Sequence, residues 1–258
     1  MFRALLVRSS YTSFLSRCAT IAIRCPFYVS KRIAILQSNY IPWKGYFDLI
    51  RNVDEFILFD DVQYTRSDWR NRNKIKTPHG VRWLTIPVST RGNLGQTIDQ
   101  TIIGDPDWAA KHWEIIKFSY ARSPCFGLYH EPIKDAFLGC TEQNLSRINQ
   151  RFLAVICNLL GISTKISRST EYRQVPGKTE RLVSLCQQAG GSEYYSGPAG
   201  KDYIQPHLFE QAGIKLRFVD YSGYSEYPQL FPPFEHQVSI LDLLFNTGPD
   251  ALQYMKAF

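Results

Sequence analysis

The sequence predicts an α/β fold: a single domain with a mainly parallel, Rossmann-like sheet flanked by helices and a helical C-terminal part. Three observations carry this expectation. Short β-branched runs alternate with stretches of helical period from Arg32 to Phe245. Arg32 to Asp61 reads strand, turn, helix, strand, which is the length of one βαβ unit with a right-handed crossover. Hydrophobic residues at 44% and charged residues at 21% of 258 positions match a chain with a packed core.

The elements follow in order. Arg32–Gln37 is an apolar, β-branched run of the kind that fills a buried strand. Pro42 has no N–H and holds Ile41 extended, so Tyr40-Ile41-Pro42-Trp43 breaks the run. Tyr46, Leu49 and Ile50 fall at i, i+3 and i+4 within a helix from Gly45 to Asn52. Glu55–Asp61 is a second buried strand that ends in two acids. Thr65 to Gly80 is polar and without period, and Trp83–Val88 is a third strand. Asp105 and Pro106 look like the cap and first turn of a helix through Trp108, Trp113, Ile116 and Tyr120. Asn144 to Leu160 has the plainest helical stripe, formed by Leu145, Ile148, Phe152, Val155, Ile156 and Leu159 and ended by Gly161. Lys165–Ser169, Tyr194–Ser196 and Lys215–Tyr221 read as strands, and Thr179–Ala189 and Ser239–Phe245 as helices. No linker, repeat or low-complexity stretch divides residues 31–258.

Charge narrows the function. The formal net charge is +7, but Arg3, Arg8, Arg17, Arg24 and Lys31 face no acid in the first 31 residues. Without those five the remainder carries 25 basic and 23 acidic residues, or +2. A nucleic-acid binder keeps its basic surface in the folded part, so no nucleic-acid partner is expected. Residues 1–30 resemble a transit peptide in being rich in Arg and Ser, yet a start at Val29 would place a short basic lead directly before the first strand. These thirty residues are therefore expected to lie outside the domain, as a leader or a mis-assigned start. Arginines interrupt every apolar run there, so no membrane span is expected. The six cysteines show neither CxxC nor ligand spacing, which fits a reduced, cytoplasmic protein.

Three polar stretches follow strands, where α/β proteins place their sites. In Gln37 to Tyr46, Gly45 at a helix start offers a place for an anion, or merely shapes a tight turn. In Asp60 to Lys74, two carboxylates precede Arg66, Arg70, Arg72 and Lys74. Arginine forks bind carboxylate or phosphate, and Asp60 or Asp61 could serve as base. In Ser196-Gly197-Pro198-Ala199-Gly200-Lys201-Asp202-Tyr203, small residues let a ligand approach the backbone, without Walker spacing. The histidines share no metal-ligand spacing, so no metal site is assigned, and the metal requirement is left open because Asp60 or Asp61 could hold one; Glu235-His236 is the pair to watch.

Four runs together resemble the WbqC-like family: IAILQSNYIPWKGYFDLI, FDDVQYTRSDWRNRNKIKTPHG with WLTIPV, YYSGPAGKDYI, and FEHQVSILDLLFNTG. The resemblance implies a cytoplasmic protein associated with O-antigen and related polysaccharide biosynthesis. Its substrate would be a nucleotide-activated sugar or a similar anionic small molecule, and acyl or aminoacyl transfer to an amino sugar is the reaction that the association with amino-sugar pathways suggests. Cofactor and oligomeric state are left open. Carried onto this chain, the motifs point to Asp60, Asp61 and His236 for catalysis. For substrate they point to Gln37, Tyr40, Trp43, Gly45, Gln63, Arg70, Asn71, Arg72, Ser196, Gly197, Gly200, Lys201 and Glu235, with Pro42 shaping the first turn. Ser38 stands where a proline is expected, which loosens that turn. The layout is also similar to HxGH-type nucleotidyltransferases, with Trp43-Lys44-Gly45-Tyr46 in place of the histidine motif. A non-catalytic binding or scaffold protein of the same pathway is the competing reading. The loops after Gln37, Asp61 and Ser196 should meet in one cleft if their strands are parallel neighbours.

Overall fold

The computed structural model describes residues 30–89 and 95–258. The leader up to residue 29, with Cys18 and Cys25, lies outside the described residues, while Ser30 donates to Glu193 at 3.2 Å. Strands β1 (Arg32–Leu36), β2 (Glu55–Leu58), β5 (Lys165–Arg168), β6 (Glu193–Ser196) and β7 (Lys215–Phe218) form one sheet in the order β5-β2-β1-β6-β7. Every pairing is parallel. By order of appearance this is 3-2-1-4-5, the arrangement of a Rossmann-type sheet.

Strand β1 shows why the sheet needs cover on both faces. Ile33 and Ile35 point into one core with Leu182, Leu185 and Cys186 of α5 (Thr179–Gln188) and Phe209 of α6 (Pro206–Gln211). Ala34 between them faces the opposite core, as the two-residue period of a strand requires. That larger core is built on α1 (Lys44–Arg51), α2 (Trp108–Tyr120), α3 (Phe126–Leu138), α4 (Leu145–Leu159) and α7 (Ile240–Thr247). Helix α4 starts as its sequence implies, with the Asn144 side chain accepting from the Arg147 N–H at 3.1 Å.

Several expectations are corrected. The stretch from Thr65 to Gly80 contains β3 (Arg72–Thr77), paired antiparallel with β4 (Gly80–Thr85) in a separate two-stranded sheet. The strand expected at Trp83–Val88 is this β4, and it does not join the main sheet. β3 looks polar because its buried face carries Asn73, whose amide donates to the Tyr40 and Ile41 carbonyls at 3.1 and 2.9 Å. Helix α2 begins at Trp108, and Asp105 instead accepts the Asp107 N–H at 2.9 Å in the turn before it. Helix α3 carries Gly127 and Pro132 and buries only Ile133, Ala136 and Phe137, so it had little helical signature.

No described helix is long and apolar enough to cross a membrane.

Candidate functional site

Because β2, β1 and β6 are adjacent and parallel, the chain leaves all three at the same sheet edge. There Asp60 bridges two elements. One carboxylate oxygen accepts the Ser38 N–H at 2.7 Å, and the other the Ser146 hydroxyl, at the start of α4, at 2.5 Å. Burial pushes the Asp60 carboxyl up, while hydrogen bonds from Ser146 and Ser38 hold it back. Asn149, one turn along α4, donates to the Ser38 hydroxyl at 3.0 Å and to the Arg70 carbonyl at 2.9 Å. Asp61 points elsewhere, accepting the Ser169 hydroxyl at 2.5 Å and the Arg181 guanidinium. Arg181 lies over the Phe59 ring at 4.5 Å and also donates to Gln174.

Arg70 is the hub of the edge. Its guanidinium donates to the side-chain oxygens of Gln37 and Asn39, with Asp68 at 3.7 Å, and its Nε is buried without a partner. The charge therefore rests chiefly on two neutral amides.

Three hollows open around this network. A basic hollow of about 370 Å³ is lined by Ile35, Leu36, Gln37, Phe59, Val62, Gly177, Lys178, Arg181, Leu182 and Tyr203. Lys178 is the N-cap residue of α5, and its donor-only ammonium leaves that helix without a side-chain cap, while the Thr179 hydroxyl accepts the Gln205 N–H at 3.2 Å. The turn into α5 uses Gly177 at φ +94°, a conformation that side chains other than hydrogen resist. An acidic hollow of about 350 Å³ includes Asp60, Asp61, Asp99, Ser146, Arg147, Arg168 and Ser169. An aromatic hollow of about 240 Å³ is lined by Asn39, Pro42, Trp43, Trp69, Asn73 and Gln237.

The sequence-derived residues distribute unevenly over these hollows. Gln37 lines the basic one, Asp60 and Asp61 the acidic one, and Trp43 the aromatic one. Arg72 lies in a fourth depression with Trp69, Lys74 and Trp83, its guanidinium 4.2 Å from the Trp83 ring. Tyr40 is fully buried, its hydroxyl 2.8 Å from His112 Nδ1. Asn71 is buried and donates to the Ile86 carbonyl at 2.9 Å. Gly45 sits under the Trp43 indole, where a Cβ would come within 2.8 Å of Cε2. Gln63 is exposed and bridges to Thr97. Ser196 and Gly200 are buried beside β7, Gly197 is half-buried, and Lys201 is exposed with its Nζ 5.8 Å from the Phe218 ring. From the third stretch, Tyr203 is the residue that reaches the basic hollow. Glu235 accepts the Gln237 N–H at 2.8 Å, and His236 packs on Phe234 with its Nδ1 buried and unpartnered. The expected single cleft is thus one edge with several hollows.

Lys178, Arg181, Asn73 and Gln237 were not singled out from the sequence, whereas Trp69 marked the second stretch by standing among charges. The run Gly177-Lys178-Thr179 at a helix start was the available signal for the first two.

A polar cluster beside Trp43 fastens the C-terminal loop to α1. Burial lowers the Lys44 ammonium to about 8; it donates to the Ser225 carbonyl at 3.2 Å and faces Tyr224 and Tyr227 at 4.7 and 5.1 Å. Burial raises Asp48, one turn later, to about 6, although the Tyr224 hydroxyl donates to it.

The WbqC-like protein family matches over residues 37–254, which takes in β1's polar exit, the Arg70 hub, Tyr203 and Gln237. The chain belongs to the WbqC-like protein family. An uncharacterized protein of Mycobacterium tuberculosis, Rv1507c, is 48% identical over 226 residues, covering 88% of this chain and 98% of the relative. No solved structure matches this WbqC-like chain.

Proposed function

We propose that this WbqC-like protein is a transferase of surface-polysaccharide biosynthesis that binds a nucleotide-activated sugar in the basic hollow. The observation carrying this reading is the placement of that hollow. In a 3-2-1-4-5 sheet the chain runs outward in opposite directions from β1 and β6, and ligands of such folds sit beyond those strand ends. Gln37 comes from the end of β1 and Tyr203 from the turn after β6, so the hollow spans that crevice. A diphosphate there would meet Lys178, the start of α5 and Arg181, and would have to displace the Glu180 carboxylate that lies beside Gly177 in the same turn. The Tyr203 ring, about half exposed, offers a face to the base. Asp61 then acts as a positioning residue, since its carboxylate holds the Arg181 guanidinium from the neighbouring hollow. The resemblance to polysaccharide-associated proteins supplies the pathway, and the acyl or aminoacyl form of the transfer rests on that association alone.

Titration calorimetry with uridine diphosphate tests the donor site. Binding should weaken with salt, and Lys178→Ala and Arg181→Gln should each cost about tenfold. Affinity unchanged in both variants would remove the reading. Binding without turnover of any nucleotide sugar would favour a non-catalytic binding protein of the pathway.

The strand order also favours a second reading, a nucleotidyltransferase-like enzyme. At the position of the histidine motif, however, Lys44 is occupied by Ser225 and two tyrosine rings. Pyrophosphate release from a nucleoside triphosphate and a sugar phosphate would select this reading over the first.

A further inference from the structure

We propose that the aromatic hollow binds a single neutral pyranose ring, the acceptor for the transfer. The acceptor role rests on the donor reading above; the binding of the sugar does not.

The lining chemistry carries the inference. Asn39, Pro42, Trp43, Trp69, Asn73 and Gln237 supply two indoles, three carboxamides and no ionisable group. A pyranose has an apolar C–H face and a rim of hydroxyls. Indole faces take the first, and the Gln237 carboxamide with the Asn39 amide nitrogen reads the second, since Arg70 holds the Asn39 oxygen and the Asn73 amide is spent on the neighbouring backbone. A phosphate would find no cation among these six residues, whereas the basic hollow offers two. At about 240 Å³ the space falls below that usual for drug-sized ligands and suits one ring.

The walls are also held before any ligand arrives. Trp43 lies on Gly45, with Tyr221 and Tyr224 edge-on at 5.2 and 5.6 Å. The Trp69 carbonyl accepts the Tyr40 N–H at 2.9 Å, and its indole rests on Trp83 with centroids 5.3 Å apart. Between them, buried Ile41 has φ +36° rather than the extended backbone expected before Pro42, a conformation that a β-branched residue resists. The Asn73 amide holds both neighbouring carbonyls in place. A strained residue next to Pro42, which lines the hollow, fits walls that are set before a ligand arrives. Arg70 connects the two hollows, because Asn39 belongs to the aromatic one and Gln37 to the basic one.

Saturation-transfer NMR with free glucose and N-acetylglucosamine, alongside uridine diphosphate titrations, tests the proposal on the whole protein. Wild type should bind a saccharide. Trp69→Ala and Gln237→Ala should each weaken it about tenfold, Trp69→Phe should restore part of the loss, and all three should hold the diphosphate within about twofold. Arg181→Gln should show the converse. Saccharide binding that is absent from wild type, or untouched by Trp69→Ala, overturns the proposal and leaves the donor reading standing. Saccharide binding that obeys these variants while the diphosphate fails to bind supports the sugar site and overturns its role as acceptor.

Discussion

Replacing Asp60 with alanine would leave the Ser38 N–H without an acceptor inside the protein, since Ser38 is fully buried and Asp60 is 5% exposed. An unpaired buried donor costs about 1–3 kcal/mol, and the lost bond from the Ser146 hydroxyl adds about 1 kcal/mol. Removing a carboxylate that burial already disfavours returns part of this, giving a net loss of about 2–3 kcal/mol. For a chain of this size that lowers Tm by about 4–12 °C. Asparagine behaves differently. Its amide oxygen can still accept from Ser38, and its NH₂ can donate to a Ser146 hydroxyl turned to accept, so the cost is about 1 kcal/mol or less. Circular-dichroism melts of wild type, Asp60→Ala and Asp60→Asn at pH 7, paired with turnover once a donor is found, test this bracing role. Equal destabilisation by both substitutions would refute the reasoning. So would an Asp60→Asn protein that melts like wild type yet has lost all turnover, because Asp60 would then be a catalytic base.

Four further outcomes follow from the same geometry. Burial lowers the His112 pKa from 6.5 to about 4, so its contribution is present above pH 6.5 and is lost as pH falls toward 4, a loss of about 3 kcal/mol; His112→Phe should flatten that limb in melts across pH. Asp48 runs the other way: its pKa is raised from 3.8 to about 6, so its contribution is present below pH 3.8 and is lost as pH rises through 6, and Asp48→Asn should melt higher than wild type at pH 8. Gly45→Ala should push the Trp43 ring off α1, costing about 1–3 kcal/mol in urea denaturation and weakening saccharide binding more than diphosphate binding. Arg70→Lys keeps the charge but cannot reach Gln37 and Asn39 together, so calorimetry should show both ligands weakened.

Local pattern was legible and long-range order was not. The stripe of α4, the apolar run of β1 and the paired acids after β2 could be read because each feature lies within a few neighbouring residues. The antiparallel β3 escaped because Asn73 and Lys76 occupy buried positions, where backbone carbonyls satisfy their side chains; Lys76 donates to the Pro233 carbonyl. Polar residue types mark where chemistry is possible without saying what consumes it. Tyr40 spends its hydroxyl on His112 and Asn71 its amide nitrogen on the Ile86 carbonyl, whereas Asn71 Oδ1 and Arg70 Nε stay buried and unpartnered. Lys178 and Arg181 lie more than a hundred residues from Gln37 in sequence, and the pairing of β5 with β2 and of β6 with β1 brings α5 to that edge.

The central claim is that the crevice beyond β1 and β6 receives the anionic end of an activated sugar. A crystal structure of the protein grown with uridine diphosphate tests it most directly. The account predicts phosphate oxygens on the first backbone N–H groups of α5 and on Lys178 and Arg181, with the base against Tyr203. A diphosphate seated instead in the acidic hollow or against Trp43 and Trp69 would contradict it.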